Sequence, residues 1–224
     1  MAFPESGILD NFNRDNEGPP LSANWTETGY AGAGFEVVGN EGQGEVMNAA
    51  CAEYWNAATF GANCEAYLTV TDIDASFASI GVIARLVNSG GAGVDGYNVG
   101  VESYAPGNIK IKRIDDGSFT QLGASIGKVP ADGDKVGVEI VGSDINAYYD
   151  DGGAGWGEVG TRSDATYAGA GHIGIGLYTN SNVAFTNFDD FGGGTLAAAG
   201  RTTRNTDSHP LGIHSGMGHR FGNP

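Results

Sequence analysis

Several short stretches carry residue types that do chemistry when their neighbours are correctly placed. "GASIG" (123–127) has the Gly-x-Ser-x-Gly spacing of a hydrolase nucleophile, which works only on a sharp strand-to-helix elbow with a histidine base in reach. The residues that follow, "KVPADGDKVGVEIV", read as a turn and another strand, so Ser125 is expected on a loop. "GAGVDG" (91–96) has Gly-x-Gly-x-x-Gly spacing, but holding a pyrophosphate requires a helix N-terminus next. A strand pattern follows instead, and 39 glycines produce such matches by chance. His172 begins the strand-like "HIGIGLY" and reads as a satisfied edge histidine. His214 and His219, in "HSGMGH", fit neither one helical face nor one strand face, so contacts at a subunit interface are expected of them before a shared metal.

Cys51 and Cys64 are the only cysteines and flank "AEYWNAATFGAN", read as a connection between neighbouring antiparallel strands. They either close a disulfide in an oxidising medium or pack as two thiols; zinc normally takes four ligands. Aromatic residues offer the flat face on which a sugar ring stacks. Tyr54, Trp55, Tyr104, Tyr148, Tyr149 and Trp156 sit near turns or on strands, and Trp55, Tyr149 and Trp156 are the carbohydrate-binding candidates. The competing demand is a core that needs large residues, which claims Trp25 and Trp55 first.

The elements that must position these residues have a period of two. "EAYLTVTDI" (65–73), "SFASIGVIARLV" (76–87), "GYNVGVESY" (96–104), "NIKIKRI" (108–114), "KVGVEIV" (135–141) and "DINAYYD" (144–150) alternate or run apolar with β-branched and aromatic residues in excess. Between them "DDG" (115–117), "DGD" (132–134), "GSD" (142–144) and "DDGG" (150–153) supply tight turns. A closing strand is expected at 182–191, ended by "GGG". No segment shows a 3.6-residue apolar stripe of helical length, so the expectation is an all-β antiparallel β-sandwich or jelly roll.

The 224 residues carry a formal charge of −16. That argues against nucleic acid and against anionic lipid, both of which call for Lys and Arg. No run approaches the roughly 20 apolar residues that span a bilayer, and "MAFPESGILDNF" has no signal-peptide pattern, so synthesis in a cytoplasm without export is expected. The organisation expected is an N-terminal arm (1–7), one domain (8–192) and a glycine-rich extended tail (193–224). From Thr195 onward the tail has three Arg against one Asp, which makes it mildly basic on an acidic body.

"GILDNFNRDNEGPPLSANWTETG", joined to "GYNVGVES…IKIKRIDDGSFTQLG…DINAYYDDG" and to the closing "VAFTNFDDF", resembles the concanavalin A-like, laminin-G-like jelly-roll superfamily. It looks in particular like stand-alone members among tailed-phage structural proteins. The resemblance implies that the first and last strands lie side by side and that a calcium ion is held there, using Asp189 or Asp190 of the closing strand and Asp10 of the opening one. Calcium takes six to eight oxygens; the alternative is that one aspartate faces solvent and the other bonds backbone amides. Glucanases of the superfamily carry a Glu-x-Asp-x-x-Glu strand, and no Glu here has an Asp two residues later.

The function expected is a non-enzymatic virion structural or decoration protein, in phage capsid or tail. Its lectin-like domain would sit in a homo-oligomer, with residues 195–224 contacting other virion subunits. The alternative is a carbohydrate-binding module that adheres to cell-surface glycans.

Overall fold

Alternating apolar residues close two antiparallel sheets on one another, in a computed structural model that describes residues 2–75, 78–87, 93–179 and 186–197. The strands are β1 (Ile8–Asp10), β2 (Trp25–Glu27), β3 (Phe35–Val38), β4 (Glu41–Gly44), β5 (Ala50–Trp55) and β6 (Cys64–Asp72). Next come β7 (Ala78–Val87), β8 (Asp95–Glu102), β9 (Asn108–Asp115), β10 (Ser118–Gln121) and β11 (Ile126–Gly127). The last are β12 (Lys135–Val141), β13 (Asp144–Asp150), β14 (Gly157–Ser163), β15 (His172–Thr179) and β16 (Asn187–Thr195). The first sheet has the order β14-β13-β12-β6-β16-β4-β3 with β1 beside β16, and the second the order β10-β9-β8-β7-β15-β5-β2 with β11 beside β9. Among the described residues there is no helix.

The core follows the period of two. Ala66, Leu68 and Val70 of β6, and Val136, Val138 and Ile140 of β12, face Ile80, Val82 and Ala84 of β7, Tyr97, Val99 and Val101 of β8, and Ile173, Ile175 and Leu177 of β15. Burial of each large aliphatic side chain contributes about 1.5–3 kcal/mol. The β9–β10 hairpin turns at Asp116 and Gly117, both at positive φ (49° and 74°), the twist-compatible two-residue turn that "DDG" signals.

The opening and closing strands are neighbours, with Ile8 opposite Gly192 and Asp10 opposite Phe191. Phe188 and Phe191 are three residues apart and would face opposite sides of a regular strand, yet both are fully buried. The register slips between Asp189 and Gly192, and Asp190 sits at φ 52°. This bulge turns both rings inward, where they meet Phe12, Trp25 and Phe35.

The "GGG" stretch corrects the expected boundary: it does not end β16 but lies inside it, paired with Tyr67, Ala66 and Glu65 of β6. A Cβ at Gly192 would overlap the Tyr67 ring, one at Gly193 the Glu65 carbonyl, and one at Gly194 the Ser6 side chain. The strand lacks side chains there because the arm crosses it. Glu65 receives the N–H groups of Glu5 (2.8 Å) and Ser6 (2.5 Å) on one carboxylate oxygen, and the Tyr67 hydroxyl donates to the Ser6 carbonyl.

Of the two readings of the cysteines, the structure has the packed thiols. Cys51 is on β5 and Cys64 on β6, which belong to opposite sheets, and both thiols are buried and free. Cys51 Sγ donates to the Val46 carbonyl. Burial pushes the Cys64 thiol up to about 11 despite neighbouring Arg85. The segment between them contains most of β5 and is not simply a connection.

Candidate functional site

The residues singled out for chemistry do not converge. Trp55 is 9% exposed and meets Trp25 edge to face, and Tyr149 is 3% exposed with its hydroxyl donated to Asp134. Neither can stack on a sugar, because the core needed their volume. Trp156 is half-buried, and its ring, with those of Tyr67 and Tyr148, surrounds Phe3 of the arm, which stacks on Tyr148 at 4.0 Å and 7°. The chain's own phenylalanine takes the place a sugar would need. His172 Nδ1 lies 3.0 Å from the Ala58 carbonyl and 3.2 Å from that of Trp55. Ser125 is on an exposed loop, accepting from Gln121. His214, His219 and the tail beyond Ala197 lie outside the described residues, as do residues 91 and 92 of the glycine-rich loop.

The expected calcium ligands are placed close together, but Asp10 is already committed to other donors. Asp10 is buried, and each of its oxygens already serves two donors. Oδ1 accepts from the Phe12 amide (2.9 Å) and Arg14 Nη1 (2.5 Å), and Oδ2 from Arg14 Nη2 (3.1 Å) and the Trp25 indole (2.8 Å). A carboxylate offers about four lone-pair sites, so Asp10 has none left for a metal, and the guanidinium is the cation it faces. On β16, Asp189 Oδ1 accepts the Asp190 amide at 2.7 Å. Burial, and then the charges of Asp190, Glu41 and Asp10, hold the Asp189 carboxyl above its usual range against that bond. Among the described residues no three His, Cys, Asp or Glu side chains are arranged to hold a metal.

A different constellation is built on the outward face of the second sheet. Where Ile80, Val82, Val99, Val101, Ile175 and Leu177 point inward, their neighbours must point out. Strand register then sets these neighbours in rows. One row runs Tyr178, Ser79, Glu102 across β15, β7 and β8. The next runs Gly176, Gly81, Gly100 and ends at Lys110 of β9. The third brings Ile83, Asn98 and Lys112 together. Three glycines in register leave a strip without side chains between the other two rows. A Cβ at Gly81 would overlap the Val99 carbonyl, so the strands themselves require glycine there.

This face forms a cleft of about 290 Å³, lined among others by Tyr30, Asn98, Glu102, Lys112, Phe119 and Tyr178. Its walls are aromatic. Phe119 is 47% and Tyr178 42% exposed, and Tyr30, from the loop after β2, meets Phe119 edge to face at 5.7 Å. Large exposed rings beside polar groups are a recognition surface more than a packing defect. A size near the lower end of the roughly 300–1,000 Å³ usual for small-molecule sites suits a short stretch of a ligand.

The polar end of the cleft is an ionised cluster. Glu102 is 4% exposed and receives Lys110 Nζ at 2.6 Å, Lys112 Nζ at 3.0 Å and the Tyr104 hydroxyl. Burial alone would raise its carboxyl, but the hydrogen bonds from Lys110, Tyr104 and Lys112 outweigh it and hold Glu102 below its usual range. The Lys110 ammonium is correspondingly raised, by its bonds to Glu102 and Tyr104. Lys112 Nζ also lies 5.7 Å from the Phe119 ring centroid. Asn98 donates to the Val82 carbonyl at 3.1 Å.

Of this cleft, Tyr104 alone was among the aromatic candidates, and it lies at the rim. The signal for the rest was present in "YNVGVE" and "IKIKR": Asn98, Gly100 and Glu102 share one face of β8, and Lys110 and Lys112 share one face of β9. Which face lay outside, and that Tyr30 and Tyr178 would join it, depended on pairings between distant strands.

No family model matches the sequence, and a search of curated proteins returned no match. The two antiparallel sheets, with first and last strands adjacent, make the chain a concanavalin A-like jelly roll, and solved structures share that fold. Carbohydrate binding module CBM66 from Bacillus subtilis has a TM-score of 0.53 at 19% identity, over 77% of this chain and 94% of that one. The Ca2+/Man-bound exoplasmic/lumenal domain of VIP36 has a TM-score of 0.60 at 9% identity, over 88% and 93%. The CBM2 module of the evolved Dit of Lactobacillus casei BL23 phage J-1 has 0.54 at 12% identity, over 84% and 95%. The VIP36 domain matches in its metal-free form as well, at 0.55. At these identities the likeness is one of fold.

Proposed function

We propose that the chain is a non-enzymatic glycan-binding module whose site is the cleft on the second sheet. The observation that carries this reading is the pair of exposed rings, Phe119 and Tyr178, beside Asn98, Glu102 and Lys112 over a strip of glycines. A sugar ring presents an apolar face and a rim of hydroxyls, and the cleft offers both complements. Binding is favoured over hydrolysis because glycosidases use two carboxylates. Among the described residues Glu102 is the one carboxylate lining the cleft, and it is held ionised.

A glycan array followed by calorimetry tests the reading. Phe119→Ala and Tyr178→Ala are each expected to weaken binding about tenfold, the equivalent of about 1.4 kcal/mol per lost stacking ring. Gly176→Leu is expected to abolish it. The atoms nearest to a Cβ at Gly176 are those of Ile83 and Tyr30, at an ordinary contact distance of 3.4 Å, so the larger side chain extends into the cleft while the strand stays intact. Binding that survives Gly176→Leu unchanged would sink the assignment.

The second reading sets this module on a phage particle, as a capsid or tail decoration protein in a homo-oligomer, with residues 195–224 contacting other virion subunits. The fold match to a phage Dit module favours it. A chain ending at Ala197 is expected to keep its folded domain and glycan binding but to be missing from purified particles. Incorporation equal to that of the full chain would overturn it.

A further inference from the structure

Building on the cleft as a glycan site, we propose that its ligand is an acidic glycan, one whose sugar carboxylate seats against Lys112 while the ring stacks on Phe119. The body of the protein is strongly acidic, and every other ion pair among the described residues gives its cation a carboxylate of its own: Arg14 faces Asp10 and Glu17, Arg113 faces Asp115 and Asp164, and Lys128 faces Asp151, while Arg85 and Arg162 are spent on backbone carbonyls. In the cleft the balance is reversed. Lys110 and Lys112 share the single carboxylate of Glu102, which leaves one formal positive charge at this end of the site. Among the described residues no other Asp or Glu lines it.

The surplus is also aimed. Lys110 divides its ammonium between Glu102 and Tyr104. Lys112, with three N–H donors, makes one hydrogen bond to a protein acceptor among the described residues, at 3.0 Å to Glu102 Oε1. Its side chain is 18% exposed, and its ammonium lies 3.0 Å from the carboxylate and 5.7 Å from the ring centroid of the half-exposed Phe119. A sugar stacked on that ring brings its substituents to the remaining donors. The net charge of −16 does not cancel this attraction, because beyond a Debye length of about 8 Å at physiological ionic strength exposed charges are largely screened.

The test uses the full chain against uronic acid-containing oligosaccharides, each paired with its carboxyl-reduced, neutral counterpart. The acidic member is expected to bind at least about tenfold more tightly, as a charge-assisted hydrogen bond implies, with the difference shrinking as salt rises. Lys112→Met is expected to bring acidic and neutral members to equal affinity, and Lys112→Arg to keep the preference. Circular dichroism and thermal unfolding establish that Lys112→Met is folded. Neutral members bound as tightly as acidic ones, in a manner abolished by Gly176→Leu, would overturn the charge preference and leave the cleft standing. No binding by either member, or binding indifferent to Gly176→Leu, would remove both.

Discussion

Asp10→Ala is expected to destabilise the protein by about 2–4 kcal/mol, the cost of leaving the buried Trp25 N–H unpaired and of losing the charged hydrogen bonds of half-buried Arg14. Adding or chelating calcium is expected to leave the wild-type melting temperature where it was. Asp10 ties three parts of the chain together: the Phe12 amide that follows β1, the guanidinium of Arg14, and the indole of Trp25 on β2 in the opposite sheet. Without it the Trp25 N–H is left in an apolar core, and Arg14 keeps only Glu17 and the Leu21 carbonyl. For a chain of this size the loss is roughly 10 °C in melting temperature. Thermal unfolding of wild type and variant, each with calcium and with a chelator, checks both halves. If the chelator lowers the wild-type transition by several degrees, Arg14 is not the cation that this strand pair depends on.

Arg85→Ala is expected to cost at least as much, about 3–5 kcal/mol, with no effect on charge pairing. Arg85 is 1% exposed, and its guanidinium donates to three backbone carbonyls: Ala62 at 2.6 Å, Tyr167 at 2.9 Å and Gly142 at 2.7 Å. These carbonyls come from three separate connections at one end of the sandwich. Alanine would leave all three without their donor, each at a penalty of about 1–3 kcal/mol when buried. Lysine supplies charge without the planar fork, so Arg85→Lys should recover only part of the loss. Urea denaturation of the three proteins measures it; a change below about 1 kcal/mol for alanine would mean that the connections are anchored by other contacts.

These two residues also mark where sequence reading stops. Asp10 was visible as a carboxylate near the closing strand, and that proximity is real, but whether it met calcium or a guanidinium depended on Arg14 folding back four residues later. Arg85 was a charge inside an apolar run, "VIARLV", with nothing nearby in sequence to say that its partners lie 23, 57 and 82 residues away. The alternative to calcium, with one of Asp189 and Asp190 facing solvent and the other inward, assumed regular strand alternation, which the bulge at Asp190 breaks. The glycines at 192–194 were read as an exit because glycine ends strands so often; here they stay in the strand because the arm and Tyr67 need the space.

What the sequence by itself determined is the class of fold: period-two runs, Asp-Gly turns between them and no helical stripe admit little other than an antiparallel sandwich, because alternation and turn chemistry are local properties. What only the tertiary structure decided is which side chains form the proposed site. Trp55 and Tyr149 went into the core, Trp156 was taken by Phe3, and Tyr30, Phe119, Tyr178, Glu102 and Lys112 were brought to one cleft from five places in the chain. A side chain's face depends on register with a strand far away in sequence, and a slip of one residue sends it to the other side of the sheet.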